Sequence, residues 1–230
     1  MSGKRNRQEE GNAMVVDLTE ISDGKLYGSN DMVRVGCHDC EGCSSCCKDM
    51  GTSVLLDPYD AYRLVVNLGK NFEQLLQGEV ELHVEAGVVL PNLRMQEGVK
   101  SCSFLDENGR CSIHSFRPGI CRLFPLGRNY DGERLEYFLL MDACPAKNKS
   151  KIKVSKWLDT PQIKTYEKFL VNWHNLVKQL RAVLEEQDEQ MAQQLSTVFL
   201  QMFYLKPYEQ ENFYDEFYER FERFNIVLNA

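Results

Sequence analysis

A dense run of cysteines near the start of the chain carries the most distinctive chemistry of this sequence. It holds five of the nine cysteines, at Cys37, Cys40, Cys43, Cys46 and Cys47. Two intervening residues allow consecutive thiolates to reach one ion, and this spacing recurs in zinc and iron–sulfur sites. Three such steps in succession, closing on a Cys-Cys pair, therefore predict a metal site.

Four further cysteines follow at wider intervals, at Cys102, Cys111, Cys121 and Cys144. Nine thiols exceed the four ligands of one tetrahedral ion. Because Cys46 and Cys47 are adjacent, their side chains point in different directions and are awkward partners on a single ion. The simplest arrangement has two sites, with this pair split between them or bridging them. An iron–sulfur cluster taking four of these thiolates is the alternative.

The metal is predicted to be Zn²⁺ or Fe, the latter including an Fe–S cluster. Generic Cys-x-x-Cys spacing favours zinc. The consecutive repeats, together with Cys144-Pro145, favour an iron–sulfur centre. Nearby cations should offset the negative charge of the thiolates. Four arginines near the second block could do so or could be ordinary surface residues, namely Arg110, Arg117, Arg122 and Arg128.

Two hairpins are predicted to bring the later cysteines together. Asn108-Gly109 is a strong turn dipeptide, and a two-residue loop there would place Cys111 opposite Asp106. Cys102 would then lie further along the partner strand.

The second predicted hairpin turns at Asp131-Gly132. Its register would place Cys121 opposite Asp142, and Cys144 would lie two residues beyond. The two cysteines would therefore share one end of the hairpin, as ligands of a common ion must.

A disulfide framework is the main alternative to metal binding. The first 20 residues are polar and contain no apolar core of a signal peptide, and no later run of about 18 apolar residues indicates a membrane span. We therefore expect a cytoplasmic protein without membrane contact, in which clustered cysteines more often indicate metal or catalysis. The net charge of −7 makes nucleic acid an unexpected partner.

The sequence around the cysteines predicts an α+β fold. Asp57 before Pro58 predicts a helix start, and Asn71 predicts a second, short helix. Residues 79–95 have the composition of strands. The lysine-rich segment 147–156 is predicted to be a linker, and Thr160-Pro161 to cap a long helix.

The predicted domains are a disordered N-terminus at 1–20, a metal-stabilised cysteine domain of hairpins and short helices at 30–156, and a helical C-terminal appendage at 157–230. The last predicted helix carries phenylalanines at helical spacing, at Phe213, Phe217, Phe221 and Phe224. This aromatic face could pack on the preceding helices, or serve a protein partner or a homo-oligomer.

The ordered motifs resemble the CxxCxxCC cysteine-cluster family of zinc- or iron-chelating domains, related to the cluster in flagellin lysine N-methylases. The resemblance runs over about residues 36–146, from Cys40-x-x-Cys43-x-x-Cys46-Cys47 to Cys144-Pro145. It implies metal chelation by eight cysteines: Cys40, Cys43, Cys46, Cys47, Cys102, Cys111, Cys121 and Cys144. Cys37 is an additional member, either a spare ligand or a thiol outside the site.

Three functions follow from these patterns. The first is a metal-binding protein whose ions are at least structural. The second is an iron–sulfur redox or protein-modifying enzyme, although no phosphate loop, Gly-x-Ser-x-Gly motif or methyl-donor motif is evident. The third is a partner-binding adaptor that acts through the aromatic C-terminal helix.

Overall fold

The computed structural model describes residues 18–37, 43–209 and 212–229. Helices and two-stranded antiparallel sheets alternate along these residues, which confirms the predicted α+β class. The predicted disordered N-terminus lies outside the described residues up to position 17. Its last residues belong to a short helix, α1 (Leu18–Ile21).

Three sheets organise the cysteine-rich part of the chain. They are β1 (Met32–Gly36) with β6 (Ser150–Lys153), β2 (Val80–Glu85) with β3 (Val88–Leu93), and β4 (Leu126–Asp131) with β5 (Arg134–Leu139). The last two are hairpins. The first joins strands that lie more than 100 residues apart, so it closes the cysteine-rich region on itself.

Two helices begin at the N-cap residues that the sequence predicts. The carboxylate of Asp57 accepts the N–H of Asp60 at 2.9 Å and begins α2 (Pro58–Leu68), which ends at Gly69 in the left-handed conformation. Asn71 begins α3 (Phe72–Leu76) with a capping box. A third short helix, α4 (Gly119–Leu123), contains Cys121.

The register predicted for the second hairpin is wrong. Asp131 pairs with Arg134, so the loop is Gly132-Glu133 and the register differs by two residues from that predicted. Gly132, with φ of 58°, occupies the first loop position, which is where a type II′ turn requires glycine. Because Cys121 lies in α4 rather than on a strand, its predicted pairing with Asp142 is also wrong.

The first predicted hairpin is also shifted. Cys111 bridges to Leu105 rather than to Asp106, because the N–H of Asp106 donates to Arg110. The Asp106 carboxylate accepts the N–H groups of Asn108 and Arg110, at 2.9 and 2.8 Å, and Gly109 follows with φ of 72°. This is a three-residue loop, and its extra residue changes the position of Cys111 relative to its partner strand.

The lysine-rich segment is part of the fold, so the linker prediction is wrong. It forms β6 and then α5 (Val154–Leu158), and Val154 is fully buried. Lysines at 149, 151 and 153 alternate with less polar residues at 150, 152 and 154. This alternation of residue types is compatible with a strand, and the run of like charge concealed it.

Three longer helices complete the chain. They are α6 (Ile163–Glu186), α7 (Glu189–Leu200), which continues as a π-helix (Gln201–Leu205), and α8 (Phe213–Leu228). The α6 helix begins two residues after Pro161, since Thr160 Oγ1 donates to Leu158 O instead of capping. None of the helices in the described ranges is both long and apolar enough to cross a membrane.

One buried cluster joins the cysteine-rich region to the C-terminal helices. Leu56 and Leu93 belong to the same cluster as Phe169 and Phe217, and the Tyr204 hydroxyl donates to Leu56 O at 2.9 Å. The division at residue 156 therefore separates two parts that share a core. That these parts are separate domains stays a prediction.

Asp57, which caps α2, and Asp60, in its first turn, form a buried polar cluster with Arg122 and Arg128. Asp57 and Asp60 are 7% and 2% exposed, and Arg122 is 3% exposed. Arg128 donates to the hydroxyl of Tyr166 at 3.1 Å. Burial and the adjacent Asp60 charge raise the pKa of Asp57 to about 7, although Arg128 and Arg122 act in the opposite direction.

We predict that this raised pKa makes the fold less stable as pH rises. Ionised Asp57 is disfavoured in the folded chain, so its contribution is fully present below pH 4 and is lost as pH rises through 7. Asp57→Asn keeps a good N-cap without the titration. Urea unfolding at pH 5 and pH 8, at one fixed metal content, should show a smaller loss of stability in this variant than in the wild type.

Asp188→Asn is the matched control. Asp188 caps α7 by accepting the N–H of Met191 at 2.8 Å, but it is exposed. This variant should follow the wild-type pH dependence. Equal pH dependence of the wild type and Asp57→Asn would contradict the prediction.

Candidate metal centre

Six of the eight described cysteines line one cavity of about 80 Å³, which we call the Cys102 cavity. They are Cys43, Cys46, Cys47, Cys102, Cys111 and Cys121. The rest of the wall is largely apolar and includes the thioethers of Met50 and Met95, while Arg110, His114 and Arg117 supply the polar part. The cavity thus brings together thiols from both predicted blocks.

Backbone pairing brings the end of the first block against the second. Cys46 and Cys47 lie in a single 3₁₀ turn (Ser45–Cys47), and the N–H of Cys102 donates to Cys47 O at 2.8 Å. A bridge between Met95 and Cys102 connects this contact to the segment that follows β3. Cys47 and Cys102, 55 positions apart, are therefore fixed side by side.

The helix that carries Cys121 is held at both ends. The carboxylate of Asp60 accepts the N–H of Gly119 at 2.7 Å, at the start of α4. At its other end, Trp157 Nε1 donates to Leu123 O and Phe124 O, each at 3.2 Å. Since Asp60 and Trp157 belong to α2 and α5, the position of Cys121 depends on both helices.

The pKa shifts indicate that the thiols interact with one another. Burial is the largest cause that raises the pKa of Cys121, and the charges of Cys102, Cys46 and Cys111 raise it further. The pKa values of Cys102 and Cys111 are also raised, again mainly by burial. These thiols are therefore neutral at pH 7 in the absence of a cation, and a bound metal must displace their protons.

Hydrogen bonding between Cys46 and Cys47 is the largest cause that raises the pKa of Cys46. The guanidinium of Arg117 acts in the opposite direction on the pKa values of Cys46 and Cys111, and Arg110 does so on that of Cys111. These two of the four predicted arginines thus lie where they favour thiolates. Arg122 and Arg128 belong to the buried polar cluster instead.

A second cavity, of about 260 Å³, is lined by Cys37, Cys43, Cys46 and Cys144, and we call it the Cys144 cavity. Cys43 and Cys46 line both cavities. Cys121 and Cys144, which were predicted to share one hairpin end, line different cavities. Their separation follows from the shifted register of β4 and β5 and from the location of Cys121 in α4.

The eight described cysteines form no disulfide with one another. Within the described ranges, no three histidine, cysteine or acidic side chains converge closely enough to hold a metal ion. The thiols surround the cavities without meeting at one point. The predicted ligand Cys40 lies in the segment 38–42, outside the described residues.

The donor set fits zinc or iron. Thiolates and thioethers are soft ligands that select zinc, iron–sulfur clusters or Cu(I), whereas Ca²⁺ and Mg²⁺ require oxygen. Among the described residues that line the Cys102 cavity there is no carboxylate. The apolar wall also limits access of water, which strengthens the interaction between an ion and its thiolates.

The sequence did not indicate the residues that hold this site in place. Asp60 and Trp157 look like ordinary helix residues, and their partners are distant in sequence. Met50 and Met95 belong to no recognisable motif. Only the cap at Asp57 carried a local signal, and it located the start of α2 rather than its contact with α4.

Gly119→Ala tests whether close packing at the start of α4 is required. A Cβ at position 119 would overlap the Tyr166 hydroxyl and lie 2.9 Å from Arg128 Nη2. The variant should lose about 1–3 kcal/mol of unfolding free energy, as is typical of overpacked sites. Gly78→Ala, whose Cβ would meet nothing within 4 Å, is the control for urea denaturation. Equal stability of the two variants would contradict the packing account.

Comparison with known proteins supports the chemistry of this donor set. Residues 39–145 match the model of the CxxCxxCC family, described as "Putative zinc- or iron-chelating domain". The search of curated proteins and the search of solved structures found no match. The matched residues include the thiols of the Cys102 cavity and Cys144, whereas Cys37 precedes them. Residues 39–145, a little less than half of the chain, are therefore similar to the CxxCxxCC family, whose description names zinc or iron chelation.

Proposed function

We propose that the chain binds a zinc or iron centre through thiolates of the Cys102 cavity, and that the metal stabilises the surrounding fold. The observation that carries this proposal is the convergence of six thiols from separate segments on one largely apolar cavity. Four of them, Cys47, Cys102, Cys111 and Cys121, line this cavity and not the other. They are the ligands we propose for the first ion.

The bound metal would supply a cation that cross-links three parts of the chain. These are the 3₁₀ turn, the Cys102–Cys111 segment and α4. Each thiol that binds the metal would lose its proton. Four thiolates on a divalent ion carry a formal charge of −2, which Arg110 and Arg117 are placed to offset.

An iron–sulfur cluster is the second candidate. The cavity of about 80 Å³ has room for more than one atom, since one water needs only about 10–15 Å³ on the same measure. Room for several atoms, six thiols and two adjacent arginines would suit a polynuclear centre. A redox or modifying activity would follow from this candidate, and either centre would require the reducing conditions of a cytoplasmic location.

The adaptor hypothesis finds less support. Phe213, Phe217 and Phe224 are at most 3% exposed, and the Phe217 ring lies 4.7 Å from that of Phe169 in α6. The aromatic face of α8 therefore packs on its own chain. These three rings are not available to a partner while α8 remains in place, whereas Phe221 is only partly buried.

Metal content is the direct test of the proposal. Protein purified without oxygen should contain zinc or iron in at least stoichiometric amount, and removal of the metal should lower the melting temperature. Cys111→Ser should lower both metal content and melting temperature, because it removes one thiol of the cavity. A visible spectrum distinguishes a colourless zinc protein from a coloured iron–sulfur protein.

Ser115→Ala is a suitable control, since Ser115 is exposed and does not line the cavity. It should retain the metal content and melting temperature of the wild type. Wild-type protein that is fully folded and free of metal would refute the proposed function.

A further inference from the structure

We propose that the Cys144 cavity is a second metal site, with Cys37 and Cys144 as its own ligands and Cys43 and Cys46 completing the set. This inference rests on the proposed function, because it assumes that the thiolates of this chain bind metal. It assigns a role to Cys37, which lies outside the matched segment 39–145.

Pairing of the first and last strands of the cysteine-rich region brings Cys37 and Cys144 to one place. Gly36, next to Cys37, pairs with Ser150 at the end of the β1–β6 sheet. A side chain at position 36 would overlap Ser150 Oγ, so glycine permits this close approach. Lys149 Nζ donates to Cys144 O at 2.8 Å and folds the preceding segment back towards the sheet.

The walls of the two cavities divide the thiols into two sets. Of the eight described cysteines, four line the Cys102 cavity alone, two line the Cys144 cavity alone, and two line both. If the shared pair, Cys43 and Cys46, serves the Cys144 cavity, each cavity has four of the described thiols, which is the number of ligands in a closed zinc site. This division also separates the adjacent Cys46 and Cys47, whose side chains are awkward partners on one ion.

Phe124 lies between the two sites. It lines both cavities, and its backbone carbonyl accepts from Trp157, which also lines the Cys144 cavity. The two ions would therefore lie on either side of one residue, close enough for Cys46 to interact with both sets.

The proposed ligand of the Cys144 cavity is a thiophilic divalent cation, for which Zn²⁺ is the probe. Each thiol that binds it releases one proton to solvent and forms one metal–sulfur bond. No oxidant or reductant takes part.

The test compares the wild type with the Cys37→Ser/Cys144→Ser double variant. Each protein is loaded with Zn²⁺ in the absence of oxygen, excess metal is removed, and the number of zinc ions per chain is measured. The wild type should hold two zinc ions and the double variant one. Ala146→Ser, which adds a hydroxyl to the same cavity but removes no thiol, should hold two. Far-UV circular dichroism should show that all three are folded.

Two results would overturn the inference while leaving the proposed function intact. They are a wild type that holds one zinc ion, and a folded double variant that still holds two. A wild type that holds none would overturn both. If the double variant does not fold, the Cys37→Ser single variant is tested instead. Its zinc affinities are measured by competition with a chromophoric chelator. The substitution should weaken the binding of one of the two zinc ions at least tenfold and leave the affinity for the other unchanged. Equal retention of both ions would refute the assignment.

Discussion

Thiols gathered in an apolar cavity require a cation before they can ionise together. Burial alone raises the pKa of Cys121, and each neighbouring thiolate raises it further. A divalent metal reverses this balance, because it replaces several protons and attracts all of its thiolate ligands at once. The cavity therefore disfavours ionised cysteines without a cation, and the metal that we propose would remove this penalty.

The elements around the cavity connect this requirement to the core. Asp60 holds the start of α4 and Trp157 holds its end, so Cys121 is fixed by two helices that themselves pack in the protein interior. The N–H of Cys102 is bonded to Cys47 O, which fixes the opposite wall. Metal binding at these thiols would therefore stabilise contacts well beyond the ligands. Because the C-terminal helices share the same core, the stabilisation would extend to them as well.

Local sequence signals predicted a substantial part of this structure. The caps at Asp57 and Asn71 located two helices, and the cysteine spacing identified the segment that matches a metal-chelating family. The predictions were wrong where the position of a single loop residue determines the register of two paired strands. The prediction placed Gly132 at the second loop position, whereas it occupies the first. This error shifted the predicted strand register by two residues and gave the wrong pairing for Cys121.

Tertiary information accounts for the remainder. The grouping of Cys37 with Cys144 depends on the pairing of β1 with β6, and no short-range pattern connects strands so far apart. The lysine-rich segment looked like a solvated linker because its charge drew attention away from its pairing with β1, which only the fold reveals. Buried charges such as Asp60 and Arg122 are also invisible in the sequence, since only the fold places them together.

X-ray absorption spectroscopy of the wild-type protein, purified without oxygen, tests the central claim most directly. The account predicts a bound zinc or iron whose first shell contains only sulfur, at about 2.3 Å for zinc. Such a shell would show that the thiols lining the cavities act as ligands. A first shell of nitrogen and oxygen, or a folded protein without zinc or iron, would contradict it.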